Sequence, residues 1–130
     1  MAKIIGSVDD LGRPIIRLEV PGRDGLVAVV DTGFNRSLLL LATDALSLGF
    51  AIKQKTEIVE LGTTERVTVR RASGEIFWLG KKLRVEALIS NEPTPVYRPD
   101  TARALIGTEL LFGTLLLVDF ASRLVEIESQ

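Results

Sequence analysis

The chain has 130 residues, of which 46% are hydrophobic and 25% are charged, and its formal net charge is −1. These values are typical of one folded domain, spanning residues 1–130, and exclude a disordered or fibrous chain. Sixteen basic and seventeen acidic side chains leave no basic excess for a phosphate backbone, so we expect no nucleic-acid partner. The absence of cysteine and histidine excludes disulfides, Ser-His-Asp or Cys-His catalysis and nearly every zinc or haem site. Any catalysis must therefore rest on carboxylates, hydroxyls or lysines.

The first residues carry only the short apolar pair Ile4-Ile5, which does not form the apolar core of a secretion signal. The longest apolar runs, Leu38 to Ala42 and Leu115 to Val118, are far shorter than the about 20 residues that a membrane-spanning helix needs. We therefore expect a cytoplasmic protein without a membrane partner.

Strand patterns dominate the first third of the chain. Ile16, Leu18 and Val20 alternate with polar residues, which is the period of a strand with one buried face. The run from Leu26 to Val30 is continuously apolar, as in a strand covered on both faces, and it ends at Asp31.

A short helix is predicted after these strands. Thr43 is a suitable N-cap, Gly49 is a suitable residue to end the helix, and we expect Leu46 between them to point inward.

The middle of the chain, from Lys55 to Ile89, is predicted to be a β meander. Its strands are predicted at Thr56 to Leu61, Arg66 to Arg71, Ile76 to Leu79 and Leu83 to Ile89. The turns between them are predicted at Gly62-Thr63, Ala72-Ser73-Gly74 and Gly80-Lys81-Lys82. Three prolines then make Asn91 to Asp100 a long surface connection within the domain.

The last third contains a second short helix and a terminal hairpin. The helix has Thr108 as its cap and is stopped by Gly113. The hairpin pairs Thr114 to Val118 with Leu124 to Ile127. Together these elements predict a small, closed, mostly antiparallel β domain with two short helices.

The strongest chemical feature is the segment Val29-Val30-Asp31-Thr32-Gly33, in which a buried strand delivers a carboxylate onto a tight loop. The neighbouring hydroxyl and the close backbone that glycine allows would hydrogen-bond the charged form of Asp31, which suits a fixed acid or base. The alternative is an ordinary hairpin turn, because aspartate and glycine are common turn residues.

A second motif, Leu105-Ile106-Gly107, follows later and precedes the second predicted helix. The order of the two motifs, with a β meander between them, resembles the retropepsin-like aspartic proteases, the single-lobed family, in its small bacterial type. The downstream pair Asp119-Phe120 adds to this resemblance, which covers roughly residues 15 to 127. It implies an all-β fold, a small closed antiparallel β-barrel of the acid-protease type with two short helices.

The resemblance also implies a mechanism. Each chain supplies one catalytic aspartate, here Asp31, so the enzyme is a homodimer in which two copies of this residue share a proton and activate a water against a peptide bond. Thr32 would bond across the dimer axis, and Gly33 would let the substrate backbone pass close. The partner is a peptide or protein substrate, and neither a metal nor a cofactor is needed.

Further roles follow from the same resemblance. The turn Ala72-Ser73-Gly74 is the expected tip of a flap that closes over a peptide, or else a plain turn. Phe34 stands where the best-known retroviral enzymes usually have a small residue, so its ring would narrow or fill a substrate pocket. Leu124 to Ile127 would interleave with a second copy, as the chain ends of those enzymes do. Phe77 and Trp78 are expected to pack in a core or interface.

Two other functions compete with the protease. One is a catalytically weak or inactive protease-like domain that serves for dimerisation or peptide binding, as the bulk of Phe34 suggests. The other is a glycosidase that pairs Asp31 with Glu109 or Asp119. The glycosidase is disfavoured because only 5% of the residues are aromatic and sugar sites usually use aromatic platforms. We expect Glu109 to stabilise a helix N-terminus and Asp119 to organise the turn that follows it.

Overall fold

The computed structural model of the chain describes residues 2–61, 65–93 and 102–130. These ranges contain ten strands and two short helices, in the order β1 (Lys3–Val8), β2 (Pro14–Val20), β3 (Arg23–Val30), β4 (Leu38–Leu41), α1 (Ala42–Ser47), β5 (Ala51–Leu61), β6 (Glu65–Trp78), β7 (Lys81–Ser90), β8 (Ala104–Ile106), α2 (Thr108–Leu111), β9 (Thr114–Asp119) and β10 (Leu124–Ser129). The prediction of a mostly β chain with two short helices is confirmed. The predicted turn at Gly62-Thr63 and most of the proline-rich connection, from position 94 onward, lie outside the described residues.

The strands form one sheet in the order β5-β6-β7-β4-β8-β3-β2-β1-β10-β9. The sheet also curls back on itself through an additional pairing of β2 with β6, where Glu19 lies opposite Phe77. Most pairs are antiparallel, as predicted, but β3 with β8 and β4 with β7 are parallel. Parallel neighbours are joined by long crossovers. These two parallel pairs bring together segments that are far apart in the sequence.

The apolar patterns of the first third have the predicted burial. Ile16, Leu18 and Val20 are all buried on one side of β2. In β3, Ala28 and Val30 belong to the main core, whereas Val29 points to the other face and joins a second, smaller cluster. That cluster consists of Val29, Phe34, Leu39, Val69, Leu88, Ala102 and Leu105. β3 is therefore covered on both faces and holds the start of the next loop firmly.

The first helix differs from its prediction at one end and on one face. It starts at Ala42 with no side-chain hydrogen bond at its N-terminus, so Thr43 is not its cap. Leu46 is 62% exposed and points outward, because the helix packs through Ala45 and Leu48 instead. The predicted ending is correct, since Gly49 has a φ of +81° just after the helix.

The predicted turn at Ala72-Ser73-Gly74 is wrong, because these residues lie in the middle of the 14-residue strand β6. Residues 72 to 74 pair with β7, and residues 72 and 73 pair with β5 as well. The glycine has a packing reason, since a Cβ at position 74 would lie 2.4 Å from Cδ1 of Phe50. Glycine is therefore needed at position 74 because the Phe50 ring packs against it, and not because the chain turns there.

The next turn is shifted by one residue from its prediction. Trp78 pairs with Lys81, so the loop between β6 and β7 is the two-residue pair Leu79-Gly80. Both loop residues have positive φ, 51° and 80°, which is the conformation that a tight hairpin of this kind requires. Trp78 is buried, as expected, and Phe77 is 40% exposed.

The end of the chain forms the predicted hairpin, but its last strand has no free edge. β10 pairs with β9 on one side and with β1 on the other, where Ile4 lies opposite Ile127. The expectation that Leu124 to Ile127 interleave with a second copy is therefore wrong, because β1 of the same chain occupies that position.

The second helix, α2, begins at Thr108. Its N-cap residue is Gly107, one residue before the predicted cap Thr108. No helix in the described ranges is long and apolar enough to cross a membrane.

Candidate active site

The parallel pairing of β3 with β8 brings the two sequence motifs together. Val30 lies opposite Ile106, and the backbone N–H of Asp31 donates to the carbonyl of Ile106 over 2.8 Å. Asp31 therefore leaves the sheet beside Gly107. The N–H of Phe34 then donates to the carbonyl of Asp31 over 3.1 Å, which closes the tight loop that the sequence predicted.

The carboxylate of Asp31 is held by its own loop. The N–H of Gly33 donates to Oδ1 of Asp31 over 2.9 Å, an arrangement in which an aspartate bonds the backbone two residues on. A Cβ at position 33 would lie 3.2 Å from the same oxygen, so any larger residue would crowd the carboxylate. Asp31 is half-buried, whereas Thr32 and Gly33 are exposed. The site thus presents an oriented carboxylate at an accessible surface.

The second motif and the start of α2 are hydrogen-bonded to the loop that carries Asp31. Besides the bond from Asp31 to Ile106, three backbone hydrogen bonds join the two segments, from Gly107 to Ser37 (2.9 Å), from Thr108 to Phe34 (2.8 Å) and from Glu109 to Arg36 (3.4 Å). Because the loop and α2 share these bonds, the start of the helix and the position of Asp31 are set together.

A cleft of about 510 Å³ opens in front of Asp31. The loop from Asp31 to Arg36 forms one wall, Ile58, Val59 and Glu60 of β5 form the opposite wall, and Leu88 and Leu105 lie between them. The predicted flap residues Ala72, Ser73 and Gly74 are not among its lining residues. Residues 58 to 60 of β5, in the hairpin of β5 and β6, line the cleft instead. The tip of this hairpin lies outside the described residues.

The amino-acid sequence contains a pattern that points to the cleft wall formed by β5. Within the predicted strand from Thr56 to Leu61, the adjacent apolar residues Ile58 and Val59 break the alternation of a strand with one buried face, and Ile58 is 71% exposed and lines the cleft. Arg36 and Glu60 were also missed. Both are charged residues at exposed positions, and only the tertiary arrangement places them at one cleft.

The ring of Phe34 lies within the second apolar cluster and is only 6% exposed. It borders the cleft, together with Leu88 and Leu105 from the same cluster. The ring thus forms part of the cleft lining, and its contact with a substrate stays a prediction.

The other acidic residues considered from the sequence do not line this cleft. Glu109 lies in the first turn of α2, as expected for a residue that stabilises a helix N-terminus. Oδ1 of Asp119 accepts from the N–H of Ala121 (3.0 Å) and of Ser122 (3.2 Å), and hydrogen bonds from Ser122 hold the pKa of Asp119 below its usual value. Asp119 thus organises its turn, as predicted. The described residues also contain no group of three or more acidic side chains placed to hold a metal ion.

Comparison with known proteins identifies the fold. No protein-family model matches the chain, and no curated protein matches its sequence. Among solved structures, the chain is similar to the EIAV protease in complex with the inhibitor HBY-793, with a TM-score of 0.58 and 18% sequence identity over 76% of this chain and 85% of that chain. At this identity the similarity concerns the fold. The chain therefore has a retropepsin-like fold.

Proposed function

We propose that the protein is a homodimeric aspartic endopeptidase whose catalytic groups are Asp31 of two copies of the chain. The observation that carries this proposal is the position of Asp31. In a retropepsin-like fold, its carboxylate is oriented by the N–H of Gly33 and opens into a cleft of about 510 Å³.

The proposed chemistry uses two carboxylates that share one proton, because two such groups side by side cannot both ionise easily. The ionised Asp31 takes a proton from a water molecule, whose oxygen then attacks the peptide carbonyl carbon. The protonated Asp31 of the other copy donates its proton to the carbonyl oxygen. When the tetrahedral intermediate collapses, the C–N bond breaks and a carboxyl proton passes to the leaving amine. No metal or cofactor takes part.

In this proposal the second carboxylate comes from a second copy, because the chain has a single Asp-Thr-Gly loop and Glu60, the other acidic residue of the cleft, is paired with Arg66. A two-fold axis beside this loop would bring the two Asp31 residues together, with Thr32 bonding across it and Gly33 leaving space for the peptide backbone. Both residues are exposed beside Asp31, as such contacts require.

The edge of β9 is the proposed contact between the two copies. β9 is at the end of the strand order, and among the described strands it is paired only with β10. On its outer face Leu115 and Leu117 are 53% and 44% exposed, and Phe112 just before it is 91% exposed. A strand edge with exposed leucines favours pairing with another strand. α2 connects β9 directly to the Asp31 loop, so a contact at β9 would also position the active site.

The test is cleavage of a mixed peptide library between about pH 4 and 7, the range where a carboxylate pair that shares a proton works. Cut peptides would be identified by mass spectrometry. We expect cleavage by the wild type and by the control Asp24→Asn, which changes an exposed aspartate at the other end of β3. We expect none by Asp31→Asn, although this variant should remain a dimer in sedimentation. Cleavage that survives Asp31→Asn would overturn the proposal.

A second candidate is a peptide-binding or dimerisation module without turnover. The observation in its favour is the large side chain of Phe34, which fixes the loop immediately after Gly33 in an apolar cluster. This candidate predicts a dimer that binds peptides in the cleft but releases them uncut. The library experiment separates the two, since uncut but retained peptides would identify the module.

A further inference from the structure

The cleft contains an arginine that forms no ion pair with any of the described residues. Arg36 stands on the same wall as Asp31, and its side chain is exposed. None of the ion pairs or side-chain hydrogen bonds among the described residues uses its guanidinium group. This distinguishes Arg36 from the acidic residues of the opposite wall.

Those acidic residues already have partners. Oε1 of Glu60 lies 3.5 Å from Nε of Arg66, which is opposite it on β6. Glu57, near the same wall, accepts two hydrogen bonds from Arg71, at 2.5 and 3.3 Å. The charge of Arg36 also helps to lower the pKa of Glu57, but no ion pair joins these two residues, so the N–H donors of the Arg36 guanidinium are available to a bound molecule.

The backbone of Arg36 is also fixed. Its carbonyl accepts from the N–H of Glu109 over 3.4 Å, and the next carbonyl, of Ser37, accepts from Gly107 over 2.9 Å. Arg36 thus lines the cleft from a rigid base. A rigid base reduces the entropy lost when the guanidinium engages a ligand.

We propose that Arg36 makes this cleft selective for peptides that carry an aspartate or glutamate beside the bond lying over Asp31. This inference rests on the proposed function and names its substrate class. A guanidinium group matches a carboxylate with two parallel hydrogen bonds, and of the other charged residues of the cleft, Asp31 bonds its own loop and Glu60 pairs with Arg66.

The test uses three pools of dye-labelled peptides, identical except that the residues near the centre are glutamate, glutamine or lysine. Binding is measured by fluorescence anisotropy with Asp31→Asn, which keeps the peptides intact, and cleavage is measured separately with the otherwise unchanged chain. We expect the glutamate pool to bind about fivefold more tightly than the glutamine pool, the size of effect for a partly exposed ion pair.

Variants at position 36 then assign the preference to this residue. Both variants are made in the Asp31→Asn chain. Arg36→Gln should remove the preference for glutamate peptides, and Arg36→Glu should reverse it in favour of lysine peptides. The control Arg17→Gln removes the same charge from β2, where Arg17 pairs with Glu19 far from the cleft, and should keep the preference.

The outcomes separate the inference from the proposed function. A glutamate preference that persists in Arg36→Gln, equal binding of all three pools, or no binding of any pool would overturn the inference. Selective binding of the glutamate pool that depends on Arg36 would support it even if the wild type cuts no peptide. In that case only the catalytic part of the proposed function would fail.

Discussion

Gly107 packs directly against the carbonyl oxygen of Arg36, which a Cβ at position 107 would approach to 2.0 Å. The same Cβ would lie 2.5 Å from the carbonyl oxygen of Phe34. The φ of Gly107 is −107°, which any residue can adopt, so the requirement for glycine is one of space. The glycine of the second motif thus allows α2 to support the loop that carries Asp31.

Substitution of this glycine should displace the loop that carries Asp31. We expect Gly107→Ala to lower the free energy of unfolding by about 2–4 kcal/mol, because backbone must shift to accept the methyl group, and to reduce cleavage with it. Urea denaturation at one fixed protein concentration measures the first effect. Gly12→Ala is the control, since Gly12 has a φ of +78° but nothing within 4 Å of its added Cβ, and it should lose only about 1 kcal/mol. A Gly107→Ala protein as stable as the wild type would contradict this account.

Phe34 should matter for stability through its packing. We expect Phe34→Ala to lower the free energy of unfolding by about 3 kcal/mol or more, because it leaves a cavity in the second apolar cluster. Phe120→Ala, at a phenylalanine that is 64% exposed, should change it by no more than about 0.5 kcal/mol. Both values come from urea denaturation. Equal effects of the two substitutions would show that the ring of Phe34 is not buried as described.

The ion pairs of Arg71 predict a pH dependence of stability. Hydrogen bonds from Arg71 hold the pKa of Glu57 and of Glu86 below the usual 4.5. Because their folded pKa is the lower one, these glutamates stabilise the fold above about pH 4.5, and this contribution is lost as the pH falls through the folded value.

The substitution Arg71→Gln tests this linkage. The Tm of the variant should lie below that of the wild type near pH 6, and the difference should shrink as the pH falls below about 4. Arg84→Gln, which removes an exposed arginine two residues before Glu86 on β7, is the control and should show a smaller difference at pH 6. A constant difference between Arg71→Gln and the wild type across this range would exclude the linkage.

The proposed contact at β9 predicts a change in oligomeric state. Replacing both Leu115 and Leu117 by aspartate places charges on the proposed interface, and the dissociation constant of the dimer should rise by about a hundredfold or more. Sedimentation at several protein concentrations measures this change. Leu46→Asp is the matched control, because Leu46 is 62% exposed on α1. A double variant that dimerises as tightly as the wild type would place the interface elsewhere.

Several local features could be predicted from the sequence because neighbouring residues decide them. The buried face of Ile16, Leu18 and Val20 follows from a period of two, and burial of β3 on both faces follows from an unbroken apolar run. The tight loop at Asp31 and the turn at Asp119 follow from side chains that bond the backbone two residues on.

Other predictions failed because the deciding contact is distant in the sequence. A serine-glycine pair looks the same in a turn as in a strand, and only the ring of Phe50 shows why position 74 must be glycine in β6. The outward direction of Leu46 likewise depends on which helix face the sheet accepts.

The sequence by itself therefore determined which carboxylate is held in a tight loop, since this is a local pattern, whereas the second motif was assigned to that loop by its resemblance to a known family. Only the tertiary structure decided how the motifs meet, because the parallel pairing of Val30 with Ile106 is a contact between distant segments. The same holds for the cleft, whose two walls at Arg36 and Glu60 come from different parts of the sheet. A strand's own residues specify which of its faces is buried, but they do not specify its neighbour.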